Sequence, residues 1–445
     1  MNAKFYSCLS PVSIALGLLI GGNVSAQNLE SVYQSALAYD ATVASAKAQY
    51  EANLAKGDQA KAAILPTIGF NAGQTRNQSS TTPDGGKTLD KSFGNRNISL
   101  SLNQPLYRPA NWASYSQGKK QLELAQAAWK SAEQDLIIRV TQAYFDLLAA
   151  QESVVYIKAQ KAAITEQLAS AKRNFEVGTA TITDTREAQA RFDLTTAQEV
   201  VALNDVQIKR LALENVSGVS NIEPKNLKLP VQLPNVKVAE MQSWVDTAVS
   251  NHPSIIQAKL ALEVAELELD KANAAHKPTL DLTASYGRSD NLGGSTSSTT
   301  GSTSNSASIG VAFNLPLFAG FAHQNRIKET AALVDKAKAD LNLATRGVTQ
   351  SVRSSFLGLM ASNAQTNALQ AAESSSQSAL DANKLGYQVG VRINIDVLNS
   401  QSQLYQTKRD LAKARFDTLL ANLKLKQASG QLNAADVQSV NALLQ

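Results

Sequence analysis

The chain has 445 residues, of which 44% are hydrophobic, only 6% aromatic and 18% charged, and its 42 Lys+Arg against 37 Asp+Glu leave +5 with both signs interspersed. That length fits two or three ordinary domains or one large repetitive one, and mixed charge with few aromatics argues against a nucleic-acid-binding surface. One cysteine (Cys8), three histidines (His252, His276, His323) and no phosphate-loop, dinucleotide, nucleophile-elbow or zinc-helix pattern leave no catalytic residue, metal site or cofactor to assign.

Residues 1–26 read as an export signal. Lys4 is their only charge, an apolar run covers about Val12–Ile20, and Val24-Ser25-Ala26 is a small-residue cleavage pattern. The run is too short to span a bilayer as a helix. Cleavage after Ala26 starts the mature chain at Gln27 and removes Cys8. The other reading of this segment is a buried N-terminal helix.

The remainder reads as a tandem duplication. Leu65-Pro66-Thr67 returns as Lys277-Pro278-Thr279, and Asn103-Gln104-Pro105-Leu106-Tyr107 as Asn314-Leu315-Pro316-Leu317-Phe318. Phe175-Glu176-Val177-Gly178, with Asp184 beyond, returns as Tyr387-Gln388-Val389-Gly390, with Asp396 beyond. The offset is 211 or 212 each time, which predicts one repeat at 27–218 and a second at 240–432. A Pro-bearing linker (219–239, with Pro224, Pro230 and Pro234) joins them, and a tail (433–445) follows.

Each repeat has two kinds of sequence. The first alternates apolar with polar, as strands with one face of each character do. It predicts strands at about 65–76 and 95–107, then about 278–289 and 307–318. Between them lie polar loops at about Asn77–Phe93, with Pro83-Asp84-Gly85-Gly86 as a turn, and Asp290–Ser306. The other reading of these loops is a flexible linker. Tyr107, Tyr286 and Phe318 sit near strand ends, either as an interfacial aromatic girdle or as ordinary packing.

The second kind is long helix. From about Asn111 to Glu176 there is no proline, and Leu122, Trp129, Leu136, Ala143, Ala150, Ile157, Ile164 and Ala171 recur every seventh residue. A partner column of Val140, Leu147, Val154, Leu168 and Phe175 is interrupted by Lys161. This is a coiled-coil seam with many small residues, and about 65 residues would span roughly 100 Å. The second repeat has its counterpart at about 322–387, and shorter helices are predicted at about 29–62, 185–216, 240–275 and 394–429.

Four strands cannot close a barrel, for which about eight is the lower limit, and open sheet edges are excluded from lipid. Insertion in an outer membrane therefore requires several chains to share one barrel: two give eight strands, three give twelve.

The tandem repeat, the paired strands around polar loops and the heptad helices ending in Val-Gly with a following Asp together resemble the TolC family of outer-membrane channel proteins. The likeness covers nearly the whole mature chain. It implies a mainly α fold with membrane β: a homotrimer in which four strands per chain build a shared twelve-stranded β-barrel, continued by a periplasmic α-barrel. It also implies a passive exit duct of a tripartite efflux pump or type I secretion system, with no enzymatic activity. The partners implied are outer-membrane lipid, a periplasmic adaptor docking on the helical tips, and an inner-membrane pump or ABC exporter.

At the tips, Gly178 and Gly390 can take positive φ and end their helices, and Thr183, Asp184, Asn394 and Asp396 can cap the helices that follow. By resemblance, Thr183 and Asp184 face Tyr387 and Arg392 across a gate, with Arg392 and the Tyr387 hydroxyl both reaching Asp184. Asp396 matches an acidic position in the pore constriction. The acid found one turn later in some relatives is Asn399 here, which implies a weaker cation preference. A soluble periplasmic coiled-coil scaffold or adaptor is the alternative; it would explain the helices but not the strands. An enzyme built on clustered carboxylates finds no pair that stands out.

Overall fold

A computed structural model describes residues 28–228, 230, 237–294, 298 and 300–444. The export signal at 1–26, with Cys8 and the cleavage point, lies outside them, as does Pro234 in the linker.

The helices are α1 (Leu29–Tyr39), α2 (Ala41–Ala62), α3 (Pro109–Glu176), α4 (Ile182–Ser217), α5 (Met241–Asn251), α6 (Pro253–Ala274), α7 (Ala322–Gln388), α8 (Asn394–Ala428) and α9 (Ala434–Asn441). The long helices α3 and α7 have 68 and 67 residues, each about 100 Å. The expected heptad positions Leu136, Ala150, Ile157, Ile164 and Ala171 are buried. Lys161, which breaks the partner column, reaches Glu199 on α4 at 2.8 Å.

Two helices expected to be continuous are each broken once. The segment 29–62 breaks at Asp40, and 240–275 breaks at His252, 212 positions on. Asp40 has extended backbone, and its Oδ1 accepts from the N–H groups of Thr42 and Val43, both at 3.0 Å. His252 precedes Pro253, whose ring drives the preceding residue out of helical geometry; its Nδ1 accepts from the Ser254 N–H at 3.1 Å. Burial holds the His252 imidazole below its usual pKa.

Strands β1 (Thr67–Thr81), β2 (Leu89–Tyr107), β3 (Thr279–Leu292) and β4 (Ser302–Asn314) form one antiparallel sheet in sequence order. One face carries apolar rows such as Ile68–Leu102–Ala284–Ile309 and Phe70–Leu100–Tyr286, and the other carries residues such as Asn71, Ser99 and Gly287. The first hairpin's strands run further toward the turn than the apolar alternation does, leaving about 82–88 as the loop, and β4 begins at Ser302. Ladder hydrogen bonds join backbone to backbone, so polar side chains do not stop a strand. Leu315-Pro316-Leu317-Phe318, expected within the fourth strand, lies beyond it; Pro316 has no N–H to extend the ladder. Pro105 is accommodated where the β2–β3 register shifts between Pro105 and Tyr107. Just beyond, Arg108 donates two bonds to Asp281 at 2.7 and 2.6 Å, fixing the strand-to-helix junction.

The main apolar core lies along α3 around Leu136, Val140, Tyr144 and Leu148, covered by α1, α4, α8 and α9. Tyr144 is fully buried and its hydroxyl accepts from the Lys225 N–H at 2.8 Å, which ties the linker to α3. The expected tail at 433–445 holds helix α9, and Leu444 bridges back to Leu227.

Asp40 also receives both guanidinium nitrogens of Arg139 on α3, at 2.8 and 3.0 Å. Arg139 is the main reason its carboxyl titrates below the ordinary value, with the two N–H bonds assisting. A carboxyl whose folded pKa is depressed stabilises the fold above its unfolded pKa, and that contribution fades as pH falls toward the folded value. Asp40→Ala removes the cap and leaves Arg139 unpaired; about 2 kcal/mol of destabilisation is expected at pH 7. Thermal unfolding in detergent at pH 3–7 should show this gap closing at the acid end.

Candidate functional site

The two ends of the long helices are built alike. After α3, Gly178 takes φ +77° and the N–H groups of Thr179 and Ala180 return to the Asn174 carbonyl at 2.8 and 3.1 Å. After α7, Gly390 takes φ +79° and the N–H groups of Val391 and Arg392 return to the Gly386 carbonyl at 2.9 and 3.1 Å. A left-handed glycine reverses each helix within a few residues.

The helices that follow start differently. The cap of α4 is Thr181, two residues before Thr183: its hydroxyl accepts from the Asp184 N–H at 3.3 Å, and Asp184 Oδ2 accepts from the Thr181 N–H at 3.0 Å. Asp184 therefore serves from the third helical position, a reciprocal capping box, and Thr183 is exposed. The N-cap of α8 is Ile393, which has no side-chain cap bond to give. Asn394 opens that helix, and Asp396 sits in its first turn.

Within one chain the expected gate contacts are not the ones formed. Asp184 is held by Thr181. Arg392 faces Asp396 one turn along, at 3.6 Å, with 58% and 32% of the two side chains exposed. The Tyr387 hydroxyl accepts from Asn174 Nδ2 at 3.1 Å. Asp396 and the exposed Asn399, three residues apart, share a face of α8, and Arg191 of α4 donates to Asn399 Oδ1 at 2.9 Å.

Two of these participants carry no sequence signal, and a third, Asn394, is expected from the sequence only as a cap. Asn174 and Arg191 lie among many polar helix residues. Asn394 is 1% exposed; its Oδ1 accepts from Gln167 on α3 and its Nδ2 donates to the Asp184 carbonyl at 3.2 Å. One amide thus joins three helices beside a small apolar cluster of Ile164, Leu168, Ala171, Ala188 and Leu398. Asn394→Ala removes both bonds and leaves the part-buried Gln167 amide without this acceptor, and should raise the rate of limited proteolysis between residues 176 and 182 roughly tenfold. A wild-type cleavage rate would show that this amide does not hold the tip.

Among the described residues no helix is long and apolar enough to cross a membrane, and no group of three or more His, Cys, Asp or Glu could hold a metal ion. The apolar sheet face is exposed, with Ile68 at 68% and Ile309 at 78%.

Comparison with known proteins places this architecture. The family model described as outer membrane efflux protein matches residues 32–219 and 244–431, one match per repeat. The outer membrane protein TolC of Vibrio cholerae is 32% identical over 431 residues, covering 97% of each chain. The alkaline protease secretion protein AprF of Pseudomonas aeruginosa is 29% identical, covering 98% of this chain and 89% of that protein. The crystal structure of the outer membrane protein VceC from Vibrio cholerae superposes with a TM-score of 0.76 at 19% identity, over 90% of this chain and 96% of that one. With both repeats matched and a full-length relative at this identity, the chain belongs to the outer membrane efflux protein family.

Proposed function

We propose that this outer-membrane exit duct for efflux or type I secretion works as a homotrimer, and that it opens at its helical tips. The observation that carries the trimer is the sheet: β1 and β4 are each paired on one side only, while the face they share is apolar and exposed. Lipid supplies no hydrogen-bond partner to a free edge, so edge must meet edge between copies. Three copies give twelve strands, enough for a wet lumen lined by the polar face. The helices also need neighbours. Val200, Val201, Ile208 and Leu211 of α4 are more than half exposed, beside a groove of about 570 Å³ between α3 and α4, and a second copy would cover them.

The gate follows from partner exchange. Arg392 is exposed, Asp396 is half-buried, and 3.6 Å is long for an ion pair, so the contact contributes about 0–1 kcal/mol. Both Thr181 bonds to the Asp184 carboxylate go to Oδ2, and Oδ1 has lone pairs to offer. Arg392 of one copy can therefore exchange Asp396 for Asp184 of the next, with Tyr387 joining once it leaves Asn174. A latch of such weak pairs yields to an adaptor with modest preference for the open tip. The duct itself is passive, and an inner-membrane pump or exporter drives transport. The constriction would hold Asp396 and Asn399, with Arg191 and Arg392 beside them reducing cation preference. A soluble coiled-coil scaffold would leave the apolar sheet face without a role.

Single-channel current across a planar bilayer tests both levels. Wild-type trimers should give discrete steps, and Arg392→Ser should give larger or longer-lived ones. Steps indifferent to the substitution remove Arg392 from the gate; no steps from folded trimers remove the channel.

A further inference from the structure

The outward face of the sheet continues beyond its apolar rows. From Phe70–Leu100–Tyr286 the register steps, two residues at a time, to Ala72–Ile98–Arg288, then Gln74–Arg96–Asp290–Thr303, then Arg76–Gly94. Pairing is continuous across these rows. Because side chains alternate with period two, Arg76, Arg96 and Arg288 share the face of Ile68 and Leu100. The rows are about 7 Å apart, so the three arginines form one band. All three are exposed. The band lies toward the hairpin turns, since α2, α3, α6 and α7 all join the opposite ends of the strands.

Asp290, the one carboxylate in these rows, is already engaged: Arg288 Nε donates to its two oxygens at 3.0 and 3.2 Å, and the Thr303 hydroxyl donates at 2.7 Å. Arg76 Nε donates only to the neutral Ser92 hydroxyl, at 3.4 Å. The next carboxylate on this face, Asp90, pairs with Ser80, two rows beyond Arg76. That is about 13 Å away, more than the roughly 8 Å over which salt screens exposed charges. The band thus carries two positive charges in excess.

Solubility does not account for it. At the same height the opposite face carries Gly73, Asn97, Ser289, Thr75, Asn95 and Asn291, none charged. The charge is on the face continuous with the apolar rows, where only an anion at the lipid interface would favour it. Guanidinium forks match phosphate oxygens in pairs.

We propose that Arg76, Arg96 and Arg288 bind the phosphates of outer-leaflet lipid headgroups, whose acyl chains then lie along the rows of Ile68, Phe70 and Leu100. The proposal rests on the barrel assignment above, which puts this face against lipid and the hairpins at the outer surface.

The test uses the full-length trimer in phosphatidylcholine vesicles containing either lipid A with two phosphates or its dephosphorylated form, with retained lipid counted by native mass spectrometry. Wild type should retain the phosphorylated form at least tenfold better. Arg76→Gln/Arg96→Gln, which leaves the Arg288–Asp290 pair intact, should lose most of that preference, and Arg76→Lys/Arg96→Lys should keep part of it. Equal retention of the two lipids by wild type overturns the proposal without any variant, as does undiminished preference in the Gln variant. Displacement by inorganic phosphate at constant ionic strength would make this a free-anion site and overturns the lipid assignment. A wild type that conducts but shows no preference sinks only the headgroup site, whereas one that fails to stay in the vesicles sinks the barrel as well.

Discussion

The rest of the structure depends on backbone hydrogen bonding at two sheet edges. A four-stranded antiparallel sheet ends at β1 on one side and β4 on the other. In water those edges could be solvated, but beside lipid each free N–H and C=O costs several kcal/mol. Closure between copies removes that cost and dictates the rest of the assembly. It sets one face to lipid and one to a lumen, and makes the chain incomplete on its own. All four strand–helix junctions lie at one end of the sheet, so the helical part extends on one side only. The lengths of α3 and α7 then place the tips about 100 Å from the membrane.

The duplication gives two tips at the same height but not of the same strength. Asp40 and His252 break equivalent helices 212 positions apart, one with a carboxylate held by Arg139 and the other with a partly buried imidazole. At the far end, α4 begins with a reciprocal capping box, while α8 has Ile393 as its N-cap and no side-chain cap bond. Side-chain caps contribute about 1 kcal/mol, so the second-repeat tip is the less firmly set. It is also the tip that carries Arg392, Asp396 and Asn399.

What was legible in the sequence was whatever repeats. Alternation located the strands, heptads located the long helices, and three landmarks at offsets of 211 or 212 pointed to the duplication. Strand ends were not legible where pairing continues through polar residues, as at Gln78 and Asp90. The break at His252 was legible in principle, because proline follows. The Thr181 cap was legible too, because threonine with an acid three residues on is the capping-box pattern itself. The Gln167–Asn394 bond joins residues 227 apart in sequence, which no local spacing can reveal. The band of Arg76, Arg96 and Arg288 becomes visible only when the register shows which residues stand side by side.

The energetics divide the helical part into a fixed collar and a labile end. In the collar, six helices bury one extended core that includes Leu136, Tyr144, Leu148, Phe416 and Leu423. At about 1.5–3 kcal/mol for each large side chain buried, that packing far exceeds any single polar contact. Toward the tip the burial thins to two small clusters, around Leu168 and around Leu380, and the polar bonds beyond them are exposed or only part-buried. A partner pressing on the tips meets contacts of about 1 kcal/mol or less, while the same force at the collar meets the whole core. Under the proposed gate, motion would be confined to the end that carries Asp184, Tyr387 and Arg392, with the sheet closed while the tips rearrange.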